Sequence, residues 1–347
     1  MVRGYVENDR ERYEKFVASH ENGSFLQASF WPSVKKEWKN EIIISENENG
    51  EINGALSLLI RKMPVPLFNV TVAYAPRGPV CDYTDIQTAS ELINKAKEVA
   101  KGYGACVVKC DPDKSCENGQ LKALAKALGL KIKVHGLAYE NMQPICNHKI
   151  PLNEIKCEVI DFYNSKTRNK IKTGLKRGTE IFYGTKEDLP AFYEIIKQTE
   201  ERKNISLRDM DYYNRMFEVI PPENMLFILA RAEGRVIAGG IFILYGKTIT
   251  YSYSAMATDA GHYHAMHLIQ HEIMSYGVKN GYDVYDMGGV DGNDLKEGVA
   301  VFKSNFGGGV IRNIGELDAV IKPLEYFIFN FSLGTGRKIL RAIRKKK

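Results

Sequence analysis

The sequence predicts an α/β (α+β) protein in which one arrangement of elements occurs twice. Three observations carry this. The chain has 347 residues, the length of two ordinary domains. Runs of strand length, apolar or alternating, lie between longer stretches with helical spacing. Both halves follow the order helix, helix, hairpin, strand, helix, strand, although no residue-level repeat is visible.

In the first half, residues 9–19 have helical spacing through Tyr13, Phe16 and Val17, and Gly23-Ser24 ends the pattern. A second helix is expected over 29–38. Residues 41–45 and 52–61 form a hairpin around Glu48-Asn49-Gly50. A strand follows over 70–74, then a helix over 88–102, a strand over 106–110 and a helix over 119–128. The pattern loses periodicity near 144–151, where a break is expected. In the second half, 189–203 and 209–219 are helices, and 225–232 and 236–245 are strands turned at Glu233-Gly234. A strand over 248–254, a long helix over 262–277 and a short strand over 284–287 complete it. This order is that of an acetyltransferase-type (GNAT-like) domain, so two tandem GNAT-like domains are expected. The first would span 1–145, completed by 316–347, and the second 146–315.

Composition narrows the function classes. No stretch reaches the ~18 apolar residues of a membrane span, and the N-terminus is charged where a signal peptide would be apolar. A cytoplasmic protein is expected. The six cysteines form no CxxC pair, so they are expected to be reduced thiols and not zinc ligands. His262, His264, His267 and His271 include an i, i+4 pair, but His267 is not followed by the glutamate of the zincin motif. No metal is expected. The net charge of +6 is concentrated in two runs. One holds Lys166, Arg168, Lys170, Lys172, Lys176 and Arg177. The other holds Arg337, Lys338, Arg341, Arg344 and Lys345 to Lys347. Both suit polyanionic partners: phosphates, or the anionic inner face of a membrane. Tyr326, Phe327, Ile328, Phe329 and Phe331 precede the second run, as in a helix lying on a membrane surface. A GNAT cofactor loop holds the CoA pyrophosphate on glycine-rich backbone. The corresponding 259–267 stretch has one glycine among bulky side chains, which argues against CoA.

Five motifs resemble those of the FemABX family of peptidoglycan bridge-forming aminoacyl transferases. They are Phe25-Leu26-Gln27-Ala28-Ser29-Phe30-Trp31-Pro32-Ser33-Val34-Lys35; Tyr74-Ala75-Pro76-Arg77-Gly78-Pro79-Val80; Ser165-Lys166-Thr167-Arg168-Asn169-Lys170-Ile171-Lys172; Tyr285-Asp286-Met287-Gly288-Gly289-Val290; and Val301-Phe302-Lys303-Ser304-Asn305-Phe306-Gly307. They occur in the family's order and span most of the chain.

The resemblance implies two GNAT-like domains with a cleft between them, without the coiled-coil arm of some members. It implies aminoacyl-tRNA as donor, no metal or CoA, and a nucleotide- or lipid-linked muramyl pentapeptide as acceptor. A stem-peptide amine would attack an aminoacyl ester, with the enzyme positioning both and stabilising the oxyanion. Lys303 matches the family's Phe-Lys motif as the cation for that oxyanion, and Phe302 would shape the site and offer its backbone carbonyl. Arg208 and Tyr212 match positions contacting the nucleotide-linked substrate, and Tyr253 matches a cleft tyrosine. Lys166, Arg168, Lys170 and Lys172 are expected on phosphates of the tRNA or precursor. Compact members place a phosphate-binding lysine where this chain has Ser33. Lys35 and Lys36 could substitute, turned by roughly 100° per residue on a helix, and a lipid-linked acceptor becomes an alternative to the soluble nucleotide. The competing readings are an acyl-CoA-dependent N-acyltransferase and a non-catalytic precursor- or tRNA-binding protein.

Overall fold

A computed structural model describes residues 1–65, 68–134, 142–203, 207–292 and 298–332. The chain divides into two compact units, Met1–Ile145 with Arg312–Lys347, and Cys146–Ile311.

The first unit begins with β1 (Val2–Gly4) and α1 (Arg10–Ser19), whose Tyr13 and Val17 are buried. α2 (Trp31–Val34) is one turn long, not the helix expected over 29–38. Lys35 leaves helical space (φ −100°, ψ 57°), and the chain turns again from Lys35 to Trp38. β2 (Lys39–Glu46) and β3 (Ile52–Val65) form the expected hairpin. There the Asn47 side chain accepts the N–H groups of Asn49 and Glu51, and Gly50 takes φ +78°. β4 (Phe68–Ala75) pairs back along β3, and β5 (Val80–Cys81) adds a short contact to it. α3 (Ile86–Gly102) is capped by Asp85 and buries Leu92, Ala96 and Ala100 in the core. It carries the chain to β6 (Ala105–Cys110), parallel to β4. α4 (Gly119–Ala127) and β7 (Lys131–Lys133) follow.

The second unit opens with β8 (Cys146–Pro151), where the sequence suggested a break. Pro144 and Pro151 bracket it and its middle residues are polar, which hides a strand whose Asn147 and His148 are nonetheless buried. α5 (Val159–Phe162), α6 (Ser165–Lys176), β9 (Glu180–Tyr183), α7 (Leu189–Lys203) and α8 (Met210–Val219) come next. Then follow β10 (Met225–Ala232), β11 (Arg235–Tyr245), β12 (Thr248–Met256), α9 (Ala265–Lys279), β13 (Val284–Gly289), α10 (Gly298–Ser304) and β14 (Gly309–Arg312). The sheet order is β14-β8-β13-β12-β11-β10-β9, with β12 and β13 parallel.

β15 (Glu316–Val320) lies between β6 and β7, giving the first sheet the order β1-β2-β3-β4-β6-β15-β7. Each sheet thus has a hairpin leading into a parallel pair joined by a helix, and an antiparallel neighbour beyond the pair. This is the expected pair of GNAT-like α/β units. Among the described residues no helix is long and apolar enough to cross a membrane.

Candidate active site

β12 and β13 pair only from Thr248 with Val284 to Thr250 with Asp286. Beyond that they part, because β13 turns at Gly288 (φ +78°) while β12 runs on to Met256. A cleft of about 580 Å³ opens in the gap, within the second unit. Its walls include Tyr251 to Met256 of β12, Met287 to Gly289 of β13, His264 and His267 at the start of α9, and Phe302 and Lys303 of α10.

Lys303 is 6% exposed and donates through Nζ to the Gly289 carbonyl at 2.8 Å. Among the described residues no carboxylate forms an ion pair with it. Burial pushes its pKa down to about 8, partly offset through space by Asp286. Asp286 is itself held by the Asn147 amide at 3.1 and 3.2 Å and by the Gly288 N–H at 2.7 Å. The Asp286-Met287-Gly288-Gly289 motif therefore shapes the turn that presents a carbonyl to Lys303.

The Phe302–Gly307 segment is pinned from three sides. His148 of β8 contacts the Gly307 carbonyl through Nε2 at 2.7 Å. Thr167 of α6 donates to the Asn305 carbonyl at 3.0 Å. His267 packs its ring 5.2 Å from that of Phe302 and 5.7 Å from that of Phe306. The His267 pKa is lowered to about 3 by burial, with Lys170 and His264 adding to it, so the ring is neutral at ordinary pH. It is a packing and cleft residue, and among the described residues no cluster of His, Cys, Asp and Glu could hold a metal ion. The Phe302 carbonyl accepts the Asn305 N–H at 3.3 Å.

The tyrosines are brought together. Tyr253 donates its hydroxyl to that of Tyr212 at 2.9 Å, and with Tyr213 the rings pack edge-on. Burial raises the pKa of both Tyr212 and Tyr253. Arg208 is exposed, with its guanidinium 4.9 Å from the Tyr212 ring centroid, and its charge acts on Tyr253. Asp209 caps α8 by accepting the Tyr212 N–H, a local role that fixes the tyrosine.

The basic run lies on α6, where Thr167, Ile171 and Gly174 face inward. Lys166 and Lys170 share one stripe and Arg168 and Lys172 another. The Lys170 charge acts on His264 and His267 at the cleft wall. Arg168 donates to the Tyr163 carbonyl at 2.6 Å and fastens the start of the helix. In the first unit Ser33 and Lys36 are exposed, and Lys35 lies over the Trp31 ring at 4.9 Å. Because α2 ends at Val34, the helical offset expected for Lys35 and Lys36 does not apply.

Two other motifs meet inside the first unit. Gln27 donates to the carbonyls of Pro76 (2.7 Å) and Ser57 (3.2 Å) and accepts the Ser57 N–H (2.8 Å), locking the Trp31 and Pro76 segments together. Sequence reasoning missed Asn147 and His148, which no pattern in the chain marks, and it singled out the motif holding Gly289 without its bond to Lys303. The N–H groups of Ala260, Tyr263 and His264 all donate within their own turn, to Ala257, Ala260 and Gly261. They are not presented as a pyrophosphate cradle.

Comparison with known proteins places the chain in a family and supports its fold. The model of the FemAB family matches residues 9–235 and 230–332. The UDP-N-acetylmuramoylpentapeptide-lysine N(6)-alanyltransferase of Weissella viridescens is 29% identical over 331 residues, covering 91% of this chain and 95% of that protein. A lipid II:glycine glycyltransferase of Staphylococcus aureus is 28% identical over 425 residues, covering all of both. Among solved structures, FemX superposes with a TM-score of 0.84 at 23% identity, over 94% of this chain and 99% of that one. A tandem GNAT protein from the clavulanic acid biosynthesis pathway gives 0.58 at 11% identity, over 92% and 98%, and shares the fold.

Proposed function

The chain belongs to the FemAB family, and on that premise we propose that it is an aminoacyltransferase extending the stem peptide of a peptidoglycan precursor. The relatives named above act on a nucleotide-linked pentapeptide and on lipid II, and either form is the acceptor class here. The donor is aminoacyl-tRNA, whose ester is already activated. The stem-peptide amine attacks the ester carbonyl, a C–N bond forms and the C–O bond to the ribose breaks. The amine proton leaves through substrate or water, and the free tRNA departs.

The observation that carries this reading is Lys303: a buried cation without a carboxylate partner among the described residues, at the wall of the β12–β13 cleft. Such a group lowers the energy of an oxyanion more than that of a neutral ester. Phe302 shapes the wall beside it. Tyr212, Tyr253 and Arg208 bind the acceptor, with Arg208 suited to its diphosphate. Ser33, Lys35 and Lys36 contribute to acceptor binding from the first unit, and Lys166, Arg168, Lys170 and Lys172 serve the phosphates of the donor. The enzyme works in the cytoplasm, and the basic run of 337–347, which lies outside the described residues, suits the anionic inner face of the plasma membrane by its charge. An acyl-CoA donor is disfavoured by the 259–267 stretch, which has one glycine among bulky side chains.

The test is transfer of a radiolabelled amino acid from total charged tRNA to nucleotide-linked and lipid-linked muramyl pentapeptides. Label in one acceptor, lost in Lys303→Met, is the expected result. No label in either acceptor with any amino acid overturns the assignment.

A further inference from the structure

Residues 323–332 are helical and present two apolar faces. Tyr326 and Phe329 point inward and pack with Val70, Val72, Cys106 and Val107. The Tyr326 hydroxyl donates to the buried Asp318 at 2.8 Å, which fixes the helix on the sheet. Leu324, Phe327 and Phe331 are spaced three and four residues apart and so share one stripe. They are 73%, 66% and 67% exposed, and the Phe327 and Phe331 rings stack at 6.4 Å. A single exposed leucine is ordinary in a soluble protein, but a contiguous stripe of large apolar side chains marks a contact surface.

The surroundings identify the partner. Lys131, exposed on β7, places its ammonium group 5.3 Å from the Tyr326 ring centroid, while Lys133 beside it donates to Asn330 at 2.7 Å and lies 3.9 Å from Asp318, tying β7 to the helix. Arg61 stacks over Trp38 at 5.7 Å, and Trp38 packs against the same inner cluster. In the sequence beyond, residues 337–347 contain Arg337, Lys338, Arg341, Arg344, Lys345, Lys346 and Lys347 and no acid. A second copy of the chain would bring these cations against their own kind. An anionic bilayer complements them, taking the apolar stripe below the headgroups and the cations among them.

We propose that Leu324, Phe327 and Phe331 form a bilayer-docking stripe that seats the first unit on an anionic phospholipid surface. The proposal deepens the functional reading above and rests on it, in that a membrane-held acceptor gives the docking its purpose.

Flotation of the full chain with vesicles of equal parts phosphatidylglycerol and phosphatidylcholine, against pure phosphatidylcholine, tests it. The parent is expected to float with the anionic vesicles only. The combined Leu324→Ser, Phe327→Ser, Phe331→Ser variant should bind at least about tenfold more weakly with an unchanged melting temperature. A Phe327→Trp variant reports insertion directly: its added emission should shift to the blue on anionic vesicles and be quenched by brominated acyl chains. Transfer to a soluble nucleotide-linked acceptor should be equal in parent and serine variant, which separates docking from chemistry. Should no transfer to the nucleotide-linked or the lipid-linked acceptor occur with either protein while insertion persists, the functional reading fails and the docking stripe stands. Equal flotation of parent and serine variant, or emission unchanged by vesicles, overturns the proposal. So does a parent dimer that the serine changes dissociate, since the stripe would then be a self-contact.

Discussion

In the first unit the parallel strands β4 and β6 stay paired from Thr71 with Ala105 to Ala75 with Cys110. In the second, β12 and β13 pair over three residues and then separate around a cleft of about 580 Å³. The topology is shared, so the difference lies in the segments at the ends of the strands. After β4 and β6, Asp111 accepts the Tyr74 hydroxyl at 2.6 Å and the Arg77 N–H at 2.7 Å and closes the end of the pair. At the end of β13, Gly288 and Gly289 turn the chain away and leave room. One unit closes the end of its parallel pair, and the other leaves a cleft there.

Two buried lysines make the contrast chemical. Lys109 on β6 lies 2.8 Å from Glu316 and 2.5 Å from Asp318. Burial lowers its pKa, but the two carboxylates outweigh burial and the net shift is upward. Lys303 has a carbonyl for its partner, and burial prevails. Lys109→Met should therefore destabilise the protein by roughly 3–5 kcal/mol, since it breaks a buried ion-pair network and removes the cation at 2.5 Å from Asp318 and 2.8 Å from Glu316. Urea titration measures this, and a loss below about 1 kcal/mol would show that the ion pairs are dispensable. Lys303→Met should instead leave stability equal or higher, while transfer falls about 10²–10³-fold, as expected when one oxyanion-stabilising group is removed. A Lys303→Met protein that unfolds would place this lysine in the same class as Lys109.

The same contrast has a pH signature. The folded-state pKa of Lys303 is about 8 against 10.5 for an unperturbed lysine, so holding its ammonium costs about 3 kcal/mol. Between pH 8 and 10.5 the unfolded chain binds more protons at this residue, and its contribution to stability rises with pH. Lys109, with a raised folded pKa, contributes stability that is present below 10.5 and lost only above it. Unfolding free energies from pH 7 to 10 should show a rise in the parent relative to Lys303→Met. Transfer should lose rate above about pH 8 as the ammonium deprotonates. Lys303→Arg, always charged, should move that limb upward. A flat difference between parent and Lys303→Met would mean that another group already compensates Lys303.

Much of the architecture was legible because alternation, hairpin turns and helix spacing report burial faithfully in ordinary elements. The misses have physical causes. β8 carries Asn147 and His148 inward to hold Asp286 and the Gly307 carbonyl, so its burial contradicts its polarity. The helix expected over 29–38 stops at Val34 because the backbone of Lys35 departs. α10 inverts the usual rule: Val299 and Val301 are 51% and 39% exposed while Lys303 is buried. On pattern alone Lys303 is a surface lysine, and only the Phe-Lys motif singled it out. Arg168, grouped by charge with its neighbours, also donates to the Tyr163 carbonyl and anchors the start of α6, a bond that no charge count could reveal.

The smallest expected effect concerns two glycines, one in each unit. An added Cβ on Gly78 would lie 2.8 Å from Leu56 and 3.1 Å from Gln27, so Gly78→Ala should cost about 1–3 kcal/mol by overpacking. On Gly288 it would meet nothing closer than the Tyr251 carbonyl at 3.5 Å and Lys303 Nζ at 3.8 Å, but the residue sits at φ +78°. Gly288→Ala should then cost about 1–2 kcal/mol through backbone strain alone. Asparagine tolerates that conformation, so Gly288→Asn should recover part of the stability. Melting temperature and transfer rate measured together separate the two roles of the turn. Recovery of both in Gly288→Asn would mean that the backbone path, which aims the Gly289 carbonyl at Lys303, is what the glycine supplies. Stability regained without activity would mean instead that the site needs the open space beside Lys303, and that the cleft reaches substrate across the glycine itself.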